Sequence, residues 1–130
     1  MSSRKVIKTS NAPNPVGPYN QGIKAGNFIY CSGQIAIDPS TNEITHLGDI
    51  EKETFQVLKN LSAVLNAGGA KLGDVIKTTI YLTDLNNFQT VNKIYSDFFN
   101  VANPPARACV EVSSLPKGVL IEIDCVAFLD

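Results

Sequence analysis

Arg107 is the residue with the clearest chemical potential in this sequence. It lies in PPARACVEV, residues 104–112, where two prolines lead into an otherwise apolar segment typical of a half-buried strand. An arginine is costly to bury without an anionic partner. The segment therefore predicts either a structural ion pair or a site that binds a carboxylate. The carboxylates that follow nearby in the sequence and could form the ion pair are Glu111, Glu122 and Asp124.

Side chains alternate in polarity along two predicted strands at the C-terminus, about residues 106–114 and 119–129. The apolar positions are even in the first strand and odd in the second: Ala106, Ala108, Val110 and Val112, then Val119, Ile121, Ile123, Cys125, Ala127 and Leu129. If the two strands form a hairpin, their apolar faces coincide beneath the helices. The opposite face then carries both polar and apolar side chains: Arg107, Cys109, Glu122 and Asp124, with Leu120, Val126 and Phe128. Such a mixed face predicts coverage by a second subunit.

The elements that must position these residues follow the order β-β-β-α-β-α-β-β. Two helices are predicted at about residues 50–67 and 86–99, and Asp49 is the expected N-cap of the first, which Gly68-Gly69 ends. The remaining predicted strands lie at about 5–8, 21–25, 28–37 and 75–83. Two amphipathic helices need a sheet face to cover, which predicts a single α+β domain over residues 1–130 with a mixed β-sheet packed on both helices.

Composition excludes several classes of function. The chain has 130 residues, a net charge of −1 and a pI of about 5.8, so neither nucleic acid nor an anionic membrane is an expected partner. Three widely spaced cysteines predict a reducing compartment, and residues 1–11 lack an apolar targeting segment, so a cytoplasmic location is expected. The cysteines and His46 match no ligand spacing, so no metal is expected.

Several segments resemble the reactive intermediate deaminase (Rid, or YjgF) family, in particular its RidA subgroup. They are PPARACVEVSSLPKGVLIEID at 104–124, VGPYNQ at 16–21, CSGQI at 31–35 and VIKTTIYLTDLNNFQTVNKIY at 75–95. The resemblance implies a chorismate-mutase-like fold and a homotrimer with clefts between subunits. It also implies cofactor-free hydrolysis of small 2-enamino and 2-imino carboxylates, of the 2-aminoacrylate and 2-iminobutanoate type released by PLP enzymes, to a 2-keto acid and ammonia.

The same resemblance implies roles for individual residues. Arg107 would bind the substrate carboxylate with two parallel hydrogen bonds, and Glu122 would hold the attacking water or transfer the proton. The cleft would be completed by substrate-binding residues: Tyr19, Ser32, Gly33, Asn92 and Cys109. Compared with some members of that family, FFNVANPPAR, residues 98–107, has a different number of residues just before Arg107, which affects the rim of the cleft.

Alternative interpretations remain at this point. Arg107 is otherwise a structural ion pair, Cys109 a small buried hydrophobe, and Tyr19 a packing aromatic. One alternative function is that of an endoribonuclease or translation inhibitor, although a single histidine and the absence of a basic stripe disfavour RNA cleavage. Another is a non-catalytic trimeric protein that binds carboxylate metabolites or acts as a holdase.

Overall fold

The computed structural model describes residues 3–130. Met1 and Ser2, which belong to the predicted domain 1–130 and to the N-terminal segment 1–11, lie outside the described residues. The strands, in chain order, are β1 Arg4–Ile7, β2 Gly22–Ala25, β3 Phe28–Gln34, β4 Ile37–Asp38, β5 Glu43–Ile44, β6 Val75–Leu82, β7 Ala106–Glu111 and β8 Ile121–Phe128. The α-helices are α1 Ile50–Ala67 and α2 Phe88–Phe98.

Helix α1 begins and ends where its local sequence predicts. The Asp49 side chain accepts a hydrogen bond from the Lys52 N–H at 3.1 Å, which satisfies one of the free amides of the first turn. The helix ends before Gly68, and Gly69 adopts a φ of +89°, a backbone conformation that residues other than glycine rarely adopt. Within residues 3–130, no helix has the length and apolarity needed to cross a bilayer.

The main sheet has six strands in the order β1-β2-β3-β8-β6-β7, and β4 and β5 form a separate small hairpin. Only β6 and β7 are parallel, because α2 carries the chain back between them, and all other neighbouring strands are antiparallel. Both helices lie on one face of the sheet, over a continuous core that includes Leu58, Leu61, Ile80, Val91 and Ile121. The predicted α+β fold class is confirmed.

Two details of the predicted strands are wrong. The strand predicted at 28–37 ends at Gln34, because the pairing of β3 with β8 shifts register between Cys31 and Gln34. Ile76, which strict alternation would place on the same side as the buried Ile80 and Leu82, lies at a register shift between β6 and β8 and is exposed. Both cases follow from β-bulges, which break the alternation of side chains that the sequence pattern assumes.

The predicted hairpin of the last two strands is also wrong, because β6 lies between β7 and β8. Thr78 of β6 pairs with Arg107 on one side and with Cys125 on the other. Directly paired residues share a face of the sheet, and Cys125 is in the core, so Arg107 points to the helix side. Glu122, one residue out of phase with the buried Ile121 and Ile123, points to the open side of the sheet.

Buried polar side chains hold the loops that flank the sheet. Gln21 donates its amide hydrogens to the carbonyl oxygens of Thr9, Ala12 and Pro13 and accepts a hydrogen bond from the Thr9 N–H, at distances of 2.7–3.2 Å. Glu53 in α1 accepts hydrogen bonds from the N–H groups of Gly48 at 2.8 Å and Leu120 at 2.9 Å. Because unpaired polar groups are costly in a core, these bonds fix the loop before β2 and the entry to β8.

Candidate functional site

The seven residues predicted to form the site separate into two groups on opposite faces of the sheet. Asn92, Arg107 and Cys109 lie on the side covered by α2, and we call them the arginine group. The second group lies near Glu122 on the other side, and we call it the glutamate group: Tyr19, Ser32, Gly33 and Glu122. The structure does not bring the two groups together within one chain.

In the arginine group, Arg107 projects from the edge strand β7 toward one face of α2. Its Nη1 donates a hydrogen bond to Oδ1 of Asn92 at 2.7 Å. The guanidinium carbon lies 5.0 Å from the centre of the Tyr95 ring and 5.4 Å from that of Phe88, both within the range of a cation–π interaction. Arg107, Asn92 and Tyr95 border a cavity of about 380 Å³ that opens next to Pro105.

In the described part of the chain, these contacts of Arg107 are all with neutral groups. Glu111 instead accepts a hydrogen bond from the Leu85 N–H at 2.9 Å, and Asp124 accepts one from the Tyr81 hydroxyl at 3.0 Å. Glu122 lies on the other face of the sheet. The geometry therefore disfavours the structural ion pair and leaves the positive charge of Arg107 available to an anion.

Cys109 follows Arg107 on the same face of β7 and packs against the core. Burial raises the pKa of its thiol, and the nearby charge of Arg107 only partly opposes this effect. The environment therefore favours the neutral thiol, which is suited to lining a pocket.

In the glutamate group, the Glu122 carboxyl lies directly against the backbone of Gly33. A Cβ built on Gly33 would lie 2.8 Å from the carboxyl carbon of Glu122, closer than real side chains approach, so a larger residue at this position would displace the Glu122 carboxyl. The register shift between Cys31 and Gln34 includes Gly33 and displaces the backbone at this point. Both residues line a cavity of about 330 Å³, together with Tyr19 and Pro116.

The loop that carries Tyr19 is attached to β3 by hydrogen bonds. The Ser32 hydroxyl donates to the Asn20 carbonyl oxygen at 2.6 Å, and the Ser32 N–H donates to the Gln21 carbonyl oxygen at 2.9 Å. The Tyr19 hydroxyl accepts a hydrogen bond from the Val16 N–H at 3.1 Å. Ser32 therefore positions the loop, and the Tyr19 ring, 45% exposed, forms one wall of the cavity.

The carboxyl group of Glu122 has a pKa above its ordinary value. Burial is the larger cause, because it disfavours the charged form, and the negative charge of Asp124 on the same strand adds to it. A carboxyl group with a raised pKa can both accept and donate a proton near neutral pH. The arginine group is thus suited to bind a carboxylate, and the glutamate group to transfer protons.

The open face of the sheet, which carries Glu122, is largely apolar and uncovered. Several large apolar side chains on it are well exposed: Val6 55%, Phe28 38%, Tyr30 50%, Val110 42% and Phe128 36%. Phe28 and Phe128 pack edge to face, with their ring centres 5.1 Å apart. A protein that exposes so large an apolar patch generally covers it with a partner.

Sequence reasoning missed the aromatic residues around Arg107. Phe88 and Tyr95 received no role in the predicted site, although they flank Asn92 at spacings of four and three residues. That spacing places all three residues on one face of a helix, and this was the available signal. The sequence predicted only that Tyr81 lies in a strand, and nothing in it indicated the hydrogen bond from the Tyr81 hydroxyl to Asp124.

Residues 3–130 contain no cluster of three or more His, Cys, Asp or Glu side chains that could hold a metal ion. The three cysteines are free thiols, and Cys31 and Cys125 are buried, as predicted.

Comparisons with known proteins assign the chain to a family. The sequence profile described as Endoribonuclease L-PSP matches residues 9–129. A RutC family protein of Pyrococcus horikoshii is 54% identical over 125 residues, which are 96% of this chain and 98% of that protein. The 2-iminobutanoate/2-iminopropanoate deaminase of Escherichia coli K12 is 48% identical over 125 residues, covering 95% of this chain and 96% of the relative. The crystal structure of Escherichia coli TdcF with bound serine superposes with a TM-score of 0.91 at 41% identity, covering 97% and 99% of the two chains.

Proposed function

Since the chain belongs to the Endoribonuclease L-PSP family, which includes the Rid and YjgF proteins, we propose that it hydrolyses small 2-imino and 2-enamino carboxylates to 2-keto acids and ammonia. The expected substrates are of the 2-aminoacrylate and 2-iminobutanoate type. The 48% identity to a deaminase of that specificity supports this choice. The reaction is expected to need neither a metal nor a cofactor, because the imine carbon is already electrophilic, and the three free thiols favour a cytoplasmic location.

The main observation in support of the proposal is the environment of the Arg107 side chain. Its guanidinium is oriented by Asn92 and two aromatic rings and borders a cavity, and the contacts it makes within residues 3–130 are with neutral groups. A planar fork of this kind matches the carboxylate of a 2-imino acid with two parallel hydrogen bonds.

The complete site is composed of two copies of the chain. Arg107 and Glu122 face opposite sides of one sheet, so a small substrate cannot contact both within one protomer. Edge strand β7 of one copy would meet the glutamate group of the next, and the exposed apolar face supports such an assembly. A contact between two different surfaces closes into a ring, and we propose a homotrimer with one cleft at each of its junctions.

In this cleft, Arg107 binds the substrate carboxylate and thereby fixes the position of the imine carbon. The Glu122 carboxylate of the adjacent copy accepts a proton from water as the oxygen of that water bonds to the carbon. The protonated Glu122 then donates this proton to the nitrogen, which has received the electron pair of the C=N double bond, and a carbinolamine forms. Glu122 next accepts the proton of the carbinolamine hydroxyl and transfers it to the amino group as the C–N bond breaks, so that ammonia leaves and the 2-keto acid forms. A raised pKa suits Glu122 to both steps.

Mixing two inactive variants should restore activity if the site is shared between chains. Arg107→Ala and Glu122→Gln chains, combined in equal amounts by co-expression, should recover about a quarter of the wild-type rate. In a three-membered ring of both chains, one junction of three joins an intact Arg107 to an intact Glu122, and about three quarters of randomly formed rings are mixed. The measurement is the rate of keto-acid formation by all trimers purified together from the co-expression.

Each variant expressed alone and purified identically is the control, with light scattering to establish the assembly. A mixture no more active than the two separate variants would contradict a shared site. A monomer at micromolar concentration would contradict the trimer.

Asp124→Asn should shift the acidic limb of the pH profile of kcat/KM to lower pH. Asp124 raises the pKa of Glu122, so removing its charge lowers that pKa. The base form of Glu122 takes the proton from water and is lost below its pKa, so activity in the variant should persist to lower pH. The measurement is the pH dependence of imine hydrolysis.

Asp97→Asn removes an equal charge from the exposed surface of α2 and should leave the limb unchanged. If both variants keep the wild-type limb, Glu122 is not the group that titrates there.

The proposed reaction is tested directly by adding the protein to a threonine dehydratase reaction and timing the release of ammonia and 2-keto acid. Acceleration over the dehydratase alone supports the proposal, and loss of the acceleration in Arg107→Ala assigns it to this site. Because the matching profile carries the name of an endoribonuclease, the same preparation is also assayed for RNA cleavage. Binding of a keto acid without any turnover would instead support the non-catalytic binder or holdase.

A further inference from the structure

We propose that Tyr95, held by a buried hydrogen bond to Thr78, is a positioning residue that orients Arg107 for its carboxylate ligand. The inference rests on the proposed function in one respect, that the ligand of Arg107 is the substrate carboxylate. It adds two residues to the site that neither the sequence pattern nor the similarity to known proteins assigns.

Three side chains of α2 hold the guanidinium of Arg107. Phe88, Asn92 and Tyr95 follow one another at spacings of four and three residues, which places them on one face of the helix. The Asn92 amide oxygen accepts one hydrogen bond, and the two rings present their π systems at 5.4 Å and 5.0 Å. A cation–π contact attracts the charge without using an N–H group of the fork.

Unlike an ion pair, this arrangement leaves the charge and the N–H donors of Arg107 available to a ligand. A carboxylate partner would neutralise Arg107 and occupy two of its donors, whereas the rings and the single amide leave the charge and most of the N–H groups unused. The guanidinium is therefore oriented in advance and remains able to bind an anion in bidentate geometry. Orientation before binding reduces the entropy lost when the ligand is bound.

The Tyr95 ring is itself held in place by two neighbouring side chains, those of Thr78 and Phe99. Its hydroxyl forms a 2.8 Å hydrogen bond with the Thr78 hydroxyl, and the two residues are 6% and 0% exposed. Phe99 packs against the ring with a centre-to-centre distance of 4.5 Å. Thr78 is also the residue of β6 that pairs with Arg107. The same position in the sheet thus sets both the backbone of Arg107 and the ring on which its side chain lies.

The hydrogen bond is tested with Tyr95→Phe, Thr78→Val and the double variant. Each single variant should raise KM for a 2-imino acid by about 3- to 10-fold with kcat nearly unchanged, the loss expected for one hydrogen bond. The double variant should raise KM no further, because both changes remove the same bond. Its melting temperature should recover toward wild type, since no buried hydroxyl is left unpaired. A KM that recovers together with the melting temperature would mean that the bond is merely structural.

The ring is tested with Tyr95→Leu, matched by Phe98→Leu on the same helix. Phe98 packs against Phe55 at 5.3 Å and makes no ring contact with Arg107. Pyruvate is the probe, and its dissociation constant is measured by calorimetry. Tyr95→Leu should weaken binding by about 10-fold or more, and Phe98→Leu should leave it unchanged. Equal affinities in all three proteins would overturn the inference.

A spectroscopic measurement separates this inference from the proposed function. The guanidinium carbon of Arg107 lies 5.0 Å from the centre of the Tyr95 ring, so the NMR resonance of the Arg107 Nε–H group should move in Tyr95→Leu and stay in place in Phe98→Leu. If the wild-type protein does not hydrolyse imines, or does not bind pyruvate, this shift still supports the positioning role. A resonance that is unchanged in Tyr95→Leu would contradict it.

Discussion

Arg107→Ala is expected to reduce kcat/KM for 2-imino acids by about 10²- to 10⁴-fold, the loss of two hydrogen bonds to a charged ligand. The carboxylate then has no fixed anchor, and the imine carbon is no longer held where water can attack it. The variant should still fold and assemble, because Arg107 lies on an edge strand and is exposed. Its free energy of unfolding should change by no more than about 1 kcal/mol, since an exposed hydrogen bond and two cation–π contacts are lost along with an unneutralised charge.

Arg107→Lys extends the same experiment. Lysine keeps the positive charge but loses the planar fork and the stacking on Phe88 and Tyr95, so kcat/KM should still fall by about 10-fold or more. Lys93→Ala is the matched control, because it removes a cation from the exposed side of α2, next to Asn92 in sequence. This control should keep the wild-type activity.

Thermal unfolding and imine hydrolysis are measured on the same preparations. A structural ion pair predicts the opposite pattern, in which Arg107→Ala lowers the melting temperature and the surviving trimer stays active. A stable Arg107→Ala protein with full activity would exclude Arg107 from the site.

Glu122→Gln is expected to lower kcat by about 10²- to 10⁴-fold, as is usual when a positioned acid–base group is removed. Glutamine has nearly the same shape, so it keeps the close contact with Gly33 but can neither accept the proton of water nor return it to the leaving amine. The substrate carboxylate binds on Arg107, so the dissociation constant for pyruvate should change little. Single-turnover keto-acid formation and calorimetry measure the two quantities separately.

Glu43→Gln, a change in an exposed residue of β5, is the matched control for a lost carboxylate and should not alter either quantity. If Glu122→Gln turns over at the wild-type rate, the proton transfer belongs to another group of the cleft. If it instead loses pyruvate affinity, Glu122 contributes to binding as well as to proton transfer.

Much of the fold could be predicted because its signals are local. The N-cap at Asp49, the two glycines after α1 and the alternation within each strand depend on neighbours a few residues away. The fold class is confirmed, and the predicted helix bounds agree with the structure to within two residues, for the same reason. The predicted mixed face is only partly right, because Glu122 and Asp124 share the open face whereas Arg107 and Cys109 lie on the helix side. The family resemblance rested on short motifs and is also confirmed.

The candidate site was predicted less completely, because its parts belong to elements far apart in the chain. The sequence placed Arg107 and Cys109 on one face of their strand, and Glu122 and Asp124 on one face of theirs. It did not show that Phe88, Asn92 and Tyr95 would surround Arg107, because this depends on how α2 crosses over β7. Gly33 was named by resemblance, and only the tertiary structure shows that the Glu122 carboxyl packs directly against it.

Alternation with a period of two determines which residues of one strand share a face, and the sequence alone was sufficient for that. Whether two strands present matching faces depends on their order in the sheet, which distant parts of the chain decide together. A hairpin of β7 and β8 would have placed Arg107 and Glu122 on the same face of the sheet. Insertion of β6 between them, parallel to one and antiparallel to the other, places these two residues on opposite faces instead. The residue types were therefore readable from the sequence, whereas the separation of the site into two groups was decided by the tertiary structure.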